Sequence, residues 1–421
     1  MFSKWQWLLT QLGRKLWLRS ALFALLAIFT ALIAIPVELF IKEPFPFSIG
    51  AESVGDILNI LASSMLAVTT FSLSVMVSAY TAASSSATPR ATKLVRQDST
   101  TQNVLATFIG SFLFSLVGII ALSTDLYGEN GRLILFAVTI AVVVIIVVTM
   151  LRWIEHLSKL GRLGETTDRV EDAASQAIQQ RVDYPCLGAR RLDWDHLPDY
   201  FDQQIYPVKT GYVQHIDISK LNHYGEFYKG EISVLTEPGQ FIHPAEAIAC
   251  FDGELTEDIE NDIRAAFTVG NERSFDQDPR FGLSVLAEIA SRALSPAVND
   301  PGTAIDIISR AVRLLLPWRE HASLEDDNEK IVYPHVRISE IQLDDLFEDV
   351  FMPIARDGAG LVEIQLRLQK SLLALKRLCP DCFAEQVVRH SQMAYERAEL
   401  TLNLDAEKQR LKQIVEKIHN E

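Results

Sequence analysis

The sequence lacks the residue patterns that mark most enzyme active sites. It contains no Gly-rich phosphate-binding loop, no His-Glu-x-x-His and no Gly-x-Ser-x-Gly. Its 9 His are scattered, and only 4 of its 421 residues are Cys. Cys379 and Cys382 have the spacing of a redox or metal motif, but no second pair or nearby His could complete a tetrahedral zinc site. We therefore expect no enzymatic activity, no metal and no cofactor, and an incidental role for these two cysteines.

Charged residues are absent from four long stretches in the first third of the chain. Each stretch could cross about 30 Å of hydrocarbon as a helix, which takes about 20 residues. One such run could be a buried helix of a soluble protein, but four in succession predict a four-helix transmembrane domain at residues 20–155. No ionisable group lies deep within them, which disfavours a proton-coupled carrier. The four runs are Ser20–Val37, Ile57–Pro89, Ser99–Thr124 and Leu133–Leu151.

The basic residues around these runs lie on one side of the predicted membrane. They precede the first run, separate the second from the third and follow the fourth, whereas the other two loops are mainly acidic. Because Lys and Arg accumulate in cytoplasmic loops, we expect both termini in the cytoplasm. Residues 1–19 are predicted to form an amphipathic helix in the membrane interface. The first run resembles a signal peptide, but no small-x-small cleavage site follows it cleanly, which favours an uncleaved helix.

The remainder of the chain is acidic, with 28 Lys+Arg and 46 Asp+Glu in residues 161–421. Such a charge balance is unsuited to nucleic acid. Three parts are predicted: a linker or stalk helix at 156–205, a small β-barrel or sandwich at 206–255, and a mostly helical domain at 256–421. The fold class is therefore an α-helical membrane protein with a cytoplasmic α+β domain. All four cysteines lie in this domain and are expected to be reduced there.

Residue patterns place the elements of this domain. The predicted strands are Tyr206–Lys209, Gly211–Ile216, Glu231–Leu235, Ala247–Phe251 and Ile331–Ile338. The predicted helices are Thr256–Val269, Phe281–Leu294 and Thr303–Leu316, followed from Leu343 by helices broken near Pro353–Gly360 and at Pro380.

One face of the second hydrophobic run is small and hydroxylated over its whole length. Its residues recur every three or four positions and so share one side of a helix about 33 Å long. Two explanations stay open: close packing between transmembrane helices, or the lining of a hydrated pore around an oligomer axis. A shorter small face on the third run, Thr107 to Gly118, is typical of packing alone. The stripe consists of Ser63, Ala67, Thr70, Ser74, Ser78, Thr81 and Ser85, and the candidates at the cytoplasmic mouth are Arg90, Lys93 and Arg96.

Polar residues also crowd two predicted helix ends in the acidic domain. Asp300 is expected to cap a helix whose first residue is Pro301. The rest of the cluster has two explanations, an ion-pair network that locks helices or subunits, and a site for an ion or small ligand. Its members are Arg273, Asp276, Asp278, Arg292, Asn299 and Asp300.

Four segments together carry a family resemblance. They are the Thr88–Arg90 end of the second run, Gly211–Gln214, Asn271–Asp278 and Ser295–Pro301. With them, the chain resembles a family of predicted bacterial integral membrane proteins known only as a domain of unknown function. The resemblance covers nearly the whole chain and implies a bacterial inner-membrane location, but no activity and no functional residues.

Two functions follow from these patterns. The first is a homo-oligomeric ion channel or channel-like transport protein, whose second run lines the path and whose cytoplasmic domain assembles or gates it. The second is a membrane-anchored sensor or scaffold with the helices packed shut. The expected partners are the lipid bilayer, further copies of the chain, and an ion or small ligand.

Overall fold

In the computed structural model of the protein, the described residues are 51–123, 129–194, 203–319 and 331–421, with six helical positions between 18 and 29. The chain divides into two compact units, here named the membrane unit, Leu8–Thr166, and the C-terminal unit, Thr167–Glu421. The predicted interfacial helix and the first predicted span, Ser20–Val37, lie outside the described residues except for those six positions.

The membrane unit is helical throughout its described residues. It contains α1 (Ala51–Ser86), α2 (Pro89–Arg96), α3 (Ser99–Ser123) and α4 (Glu129–Leu157). Among the described residues, three stretches are long and apolar enough to cross a membrane: Ala51–Ser86, Ser99–Ser123 and Gly131–Leu157. The second, third and fourth predicted spans are thereby confirmed as candidate membrane helices, and the predicted count of four is not.

Helix α1 packs against α3 and α4 through one face. Leu61 and Met65 share an apolar core with Phe108 of α3 and Ile146 of α4. Nearer the other end, the Trp153 Nε1 donates to Ser72 Oγ at 2.9 Å in a buried hydrogen bond. Leu58 of α1 shares a core with Leu135 of α4, and Ser72, further along α1, bonds to Trp153, further along α4. These two helices therefore run in the same direction.

The small face of α3 is a packing surface, as predicted. Ser111 and Ser115 are buried, and their hydroxyls donate to carbonyls one turn earlier on the same helix. A Cβ at Gly118 would lie 2.9 Å from Leu58 Cδ1, so glycine at this position leaves room for the Leu58 side chain of α1.

The C-terminal unit begins within α5 (Leu163–Asp183) and contains two sheets. The larger has the order β1-β8-β4-β6-β2, with β8 parallel to β1 and β4 and the other pairs antiparallel. The smaller is antiparallel, with the order β5-β3-β7. Apolar residues of both sheets form one core. The strands are β1 (Ala189–Arg191), β2 (Gln204–Ile205), β3 (Gly211–Ile216), β4 (Ile232–Val234), β5 (Phe241–Ile242), β6 (Ala249–Phe251), β7 (Phe267–Gly270) and β8 (Tyr333–Ile338).

The predicted small barrel or sandwich is not confirmed. Both sheets are open, and the larger draws its strands from residues 189 to 338 rather than from a single segment. Four of the five predicted strands are present, with the predicted or slightly shifted bounds. Tyr206–Lys209 is not a strand, and β2 lies in the two residues before it. A helix, α6 (Ile218–Tyr228), intervenes between β3 and β4. Its N-cap, Asp217, accepts from Lys220 N at 3.0 Å, a start signal that the sequence interpretation overlooked.

The helix predicted over Thr256–Val269 is wrong in its second half. Helix α7 (Glu257–Arg264) ends early, and Phe267–Gly270 joins the smaller sheet as β7. The sequence Phe-Thr-Val is rich in aromatic and β-branched residues, which suit a strand once β3 offers a partner.

The remaining helices are α8 (Pro279–Ala293), α9 (Pro301–Leu315), α10 (Leu343–Asp357), α11 (Val362–Leu378), α12 (Pro380–Thr401) and α13 (Asp405–Asn420). Pro353 lies inside α10, and the predicted break falls after it, at Gly358. Pro380 begins α12 as its first residue, which confirms the predicted boundary.

The expectation of four reduced cysteines is contradicted for one pair. Cys379 and Cys382 are joined by a disulfide, because the start of α12 brings their Cα atoms to 5.4 Å. Cys186 and Cys250 are buried thiols.

Candidate functional site

The hydroxyl stripe of α1, Ser63 to Ser85, lies on the exposed side of the protomer. All seven of its residues are exposed. The buried residues of α1, among them Leu58, Met65 and Ala83, lie on the opposite side of the helix. The stripe therefore takes no part in the packing among the described helices of the membrane unit.

The hydroxyls of the stripe are bound to their own helix. Ser74 Oγ donates to Thr70 O at 3.0 Å and Ser78 Oγ donates to Ser74 O at 3.1 Å. Thr70 and Thr81 donate in the same way at 2.9 Å, and Ser63 and Ser85 likewise bond to nearby carbonyls of α1. Because each hydroxyl has one proton and two lone pairs, the stripe presents mainly acceptor oxygens outward.

Apolar side chains border the stripe. Leu66 and Phe71 are exposed by 53% and 63%, and Leu73 and Val77 are also exposed. The sequence predicts that Leu66, Phe71, Leu73, Val75 and Met76 lie on the face opposite the stripe. Met76 is buried in that face and Val75 is half-buried, whereas Leu66, Phe71 and Leu73 are exposed and flank the stripe. The exposed surface of α1 is therefore a polar stripe with an apolar border on each side, and the apolar borders can contact lipid or another protein.

The three basic candidates lie on α2, between the second and third predicted spans. Arg90 and Arg96 are exposed and Lys93 is half-buried. Next to them, Asp98 Oδ2 lies 2.8 Å from His156 Nε2 and also accepts from Thr101 N, in the first turn of α3. This contact places the α2 segment and the end of α4 at the same end of the membrane unit, as the predicted topology requires.

The polar cluster of the C-terminal unit divides into two groups at opposite ends of α8. At its start, Arg273 Nε and Nη2 donate to both oxygens of Asp278 at 2.7 and 2.9 Å. Asp278 is buried and caps α8 by accepting from Phe281 N at 3.0 Å. Asp276 accepts from Ser274 Oγ at 2.9 Å.

The second group lies at the other end of α8. Arg292 is in its last turn, and Asn299 has a φ of 51° in the turn that leads to α9. Asp300 caps α9, with Pro301 as the first helical residue, which confirms the predicted cap. Hydrogen bonds from Thr303 hold the pKa of Asp300 below its usual value. Since α8 has 15 residues, about 22 Å separates the two groups, and the six residues do not form one site.

A charged cavity of about 1100 Å³ opens beside the first group. Arg191, Arg273 and Arg280 line it together with Glu237 and other acidic residues. Arg273 is paired with Asp278, while Arg280 donates to Asp349 at 2.7 Å and Asp345 at 2.8 Å. Arg191 lies 3.6 Å from a Glu340 carboxylate oxygen, so the cavity is lined by charges of both signs and each of its three arginines is already paired.

Residues 13–374 match a family described as "Predicted membrane protein (DUF2254)". The chain belongs to this family. The resemblance inferred from the four motif segments is thereby confirmed, and the family has no assigned function.

The curated relatives are uncharacterized mycobacterial proteins. One from Mycobacterium tuberculosis is 24% identical over 282 residues, covering 64% of this chain and 53% of the relative. One from Mycobacterium bovis matches with the same identity and coverage. The chain thus spans about half the length of the relatives it matches. No solved structure matches it.

The sequence interpretation missed two charged residues, Glu237 in the lining of the cavity and Arg181, whose charge interacts with it. Arg181 of α5 is buried, and its Nε and Nη2 have no hydrogen-bond partner among the described residues. Burial lowers the pKa of Arg181 and raises the pKa of Glu237, although the two opposite charges attract. Burial also raises the pKa of Asp278 despite its pairing with Arg273. The sequence shows Glu237 only as the start of a Glu-Pro-Gly turn, because nothing local connects it with α5.

Metal binding finds no support in the described ranges. They contain no group of three or more His, Cys, Asp and Glu arranged to hold an ion.

Proposed function

We propose that this family member is a homo-oligomeric ion channel or channel-like transport protein of a bacterial inner membrane. Helix α1 would line the path, and the C-terminal unit would assemble or gate it in the cytoplasm. The observation that supports the proposal is the position of the hydroxyl stripe, which lies on the exposed side of α1, opposite the packed face.

The contrast between α1 and α3 gives this observation its weight. Both helices carry a face of small hydroxylated residues, but the α3 face is buried against α1, whereas the α1 face is exposed. Packing between the described helices of one protomer therefore explains the α3 face and leaves the α1 face without a function. The hydroxyl protons of the α1 face already donate to carbonyls of α1, so its outward lone pairs are what remain to be satisfied. Water in a pore would donate hydrogen bonds to them, whereas lipid tails would not.

The borders of the stripe favour a ring of subunits. Apolar side chains such as Leu66 and Phe71 on either side of the stripe could contact adjacent copies of α1 or lipid, while the stripe faces the axis. The outward acceptor oxygens would replace part of the hydration shell of a cation better than that of an anion. We propose a cation as the permeant species, and no catalytic role.

The alternative is a membrane-anchored sensor or scaffold without conduction. It is favoured by the same small residues, because they would also let two copies of α1 pack closely and exclude water. The two functions differ in whether water reaches the stripe in the assembled protein.

Cysteine accessibility separates them, with a control at matched depth. The Ser72–Trp153 hydrogen bond joins α1 and α4 at one level, and the two helices run in the same direction, so Thr70 and Leu151 also lie at similar depth. Both are exposed in the protomer. In a pore, Thr70→Cys reacts with a water-soluble thiol reagent and Leu151→Cys, facing lipid, does not.

Flux and assembly are measured on the same preparations. Ser74→Leu should abolish cation flux into liposomes while the oligomer keeps its size in detergent. Absence of flux from the unmutated protein, with Thr70→Cys unreactive, would contradict the channel. Loss of the oligomer in Ser74→Leu would instead support a packing face.

A further inference from the structure

The disulfide at the start of α12 is placed where reactive thiols are found. Cys379 is the N-cap of this 22-residue helix, and Cys382 is the third helical residue. Cys379 is half-buried and Cys382 is buried. A partner in solution can therefore reach the Cys379 sulfur more easily than the buried Cys382 sulfur.

The helix start would stabilise a thiolate at Cys379. No side chain caps this end, and Pro380 has no N–H. The N–H groups of Asp381 and Cys382, in the first turn, have no acceptor within the helix, and an anionic sulfur at the N-cap position can accept from them. The helix dipole adds to this effect, because it favours a negative charge at a helix N-terminus.

A purely structural role explains the pair less well. A disulfide stabilises chiefly by restricting the unfolded chain, and the restriction is smallest when few residues lie between the cysteines. Only two residues lie between Cys379 and Cys382, so their disulfide adds little to the free energy of unfolding. Structural disulfides are also rare in the cytoplasm, where the charge distribution predicts this unit to lie.

We propose that Cys379 and Cys382 form a redox-active site that exchanges with a low-molecular-weight or protein disulfide. In the oxidising direction, the Cys379 thiolate attacks one sulfur of the partner disulfide and forms a mixed disulfide, releasing one partner thiolate. Cys382, losing its proton, then attacks the Cys379 sulfur and releases the second thiolate. The protein loses two electrons and two protons in total, and the partner gains them as two thiols.

The test uses the full-length protein in detergent micelles. It is equilibrated in mixtures of reduced and oxidised glutathione, quenched with acid, denatured and labelled with a maleimide polymer. Because Cys186 and Cys250 are thiols outside the disulfide, the reduced chain takes four labels and the oxidised chain two. The proposal expects a reversible change from four to two labels within the range of these mixtures.

Two variants identify the attacking sulfur. In Cys382→Ser, oxidised glutathione should leave one glutathione on Cys379, since no second thiol resolves the mixed disulfide. In Cys379→Ser, the buried Cys382 should form this adduct at least tenfold more slowly. A structural disulfide would stay oxidised in reduced glutathione until the protein unfolds, and an incidental pair would stay reduced in oxidised glutathione. Either result, or equal adduct formation by the two variants, would overturn the proposal.

Discussion

Asp278 and Asp300 begin two helices in the same way but in different surroundings. Each is an N-cap followed by proline, and α8 and α9 each have 15 residues. Asp278 is buried and holds Arg273 through two hydrogen bonds, whereas the described contacts of the Asp300 carboxylate are local to its own helix start. Replacing each by alanine therefore separates the cost of a cap from the cost of an ion pair.

The magnitudes follow from these contacts. Loss of an N-cap costs about 0.5–2 kcal/mol, so we expect about 1 kcal/mol for Asp300→Ala. Removing one partner of a buried ion pair costs about 3–5 kcal/mol. The lower end applies here because the Arg273 side chain is 24% exposed and can regain water. Asp278→Ala should therefore cost about 4 kcal/mol in total.

The assay is urea unfolding of residues 167–421 expressed alone, followed by circular dichroism. The first control is that the unmutated unit unfolds in one cooperative transition. Asparagine also caps helices. Asp300→Asn should thus be nearly neutral, while Asp278→Asn keeps the cap and still loses the ion pair. Equal costs for the two alanine variants would refute the assignment of a strong Arg273–Asp278 pair.

Three further predictions can be tested separately. Burial and the nearby Arg389 lower the pKa of His390 from 6.5 to about 4. As the pH falls, His390 therefore binds a proton in the unfolded chain before it does so in the folded protein. About 3 kcal/mol of the free energy of unfolding should be lost between pH 6.5 and 4. His390→Leu should reduce this loss, and an unchanged urea-unfolding profile against pH would contradict it. Gly239 has a φ of 94°, and a Cβ there would overlap the Asp278 carboxylate, so Gly239→Ala should cost more than about 1 kcal/mol by the same assay. Gly360→Ala, where a Cβ would meet nothing within 4 Å, is its control and should be nearly neutral. Reporter fusions after Lys42 and Glu129 should report an external position and fusions after Lys93 and Lys159 an internal one; the reverse pattern would contradict the predicted topology.

Much of the helical structure could be predicted because its signals are local. Long uncharged runs give the candidate membrane helices, since a helix of about 20 apolar residues crosses the hydrocarbon with its backbone groups paired within the same segment. The Asp-Pro pair at residue 300 and Pro380 mark helix starts through capping and the fixed φ of proline. The bounds of α9 and α12 accordingly lie close to those predicted.

The sheets depended on contacts between distant segments. β8 lies between β1 and β4, although about 140 residues separate it from β1 and about 100 from β4. Residues 267–270 have a composition that suits a helix tail or a strand, and pairing with β3 decided for the strand. Periodicity within one segment contains no information about such partners.

The candidate sites show the same division. Spacing alone showed that Ser63 to Ser85 share one side of a helix, because 3.6 residues per turn is a property of the backbone. Only the tertiary structure decided that this side is exposed while the similar face of α3 is buried, because the two faces have nearly the same composition. It likewise separated Arg273 from Asp300 by the length of α8, and it brought Arg181 near Glu237 from a distant part of the chain. Burial and long-range charge pairing depend on how segments pack, and the sequence of each segment leaves them undetermined.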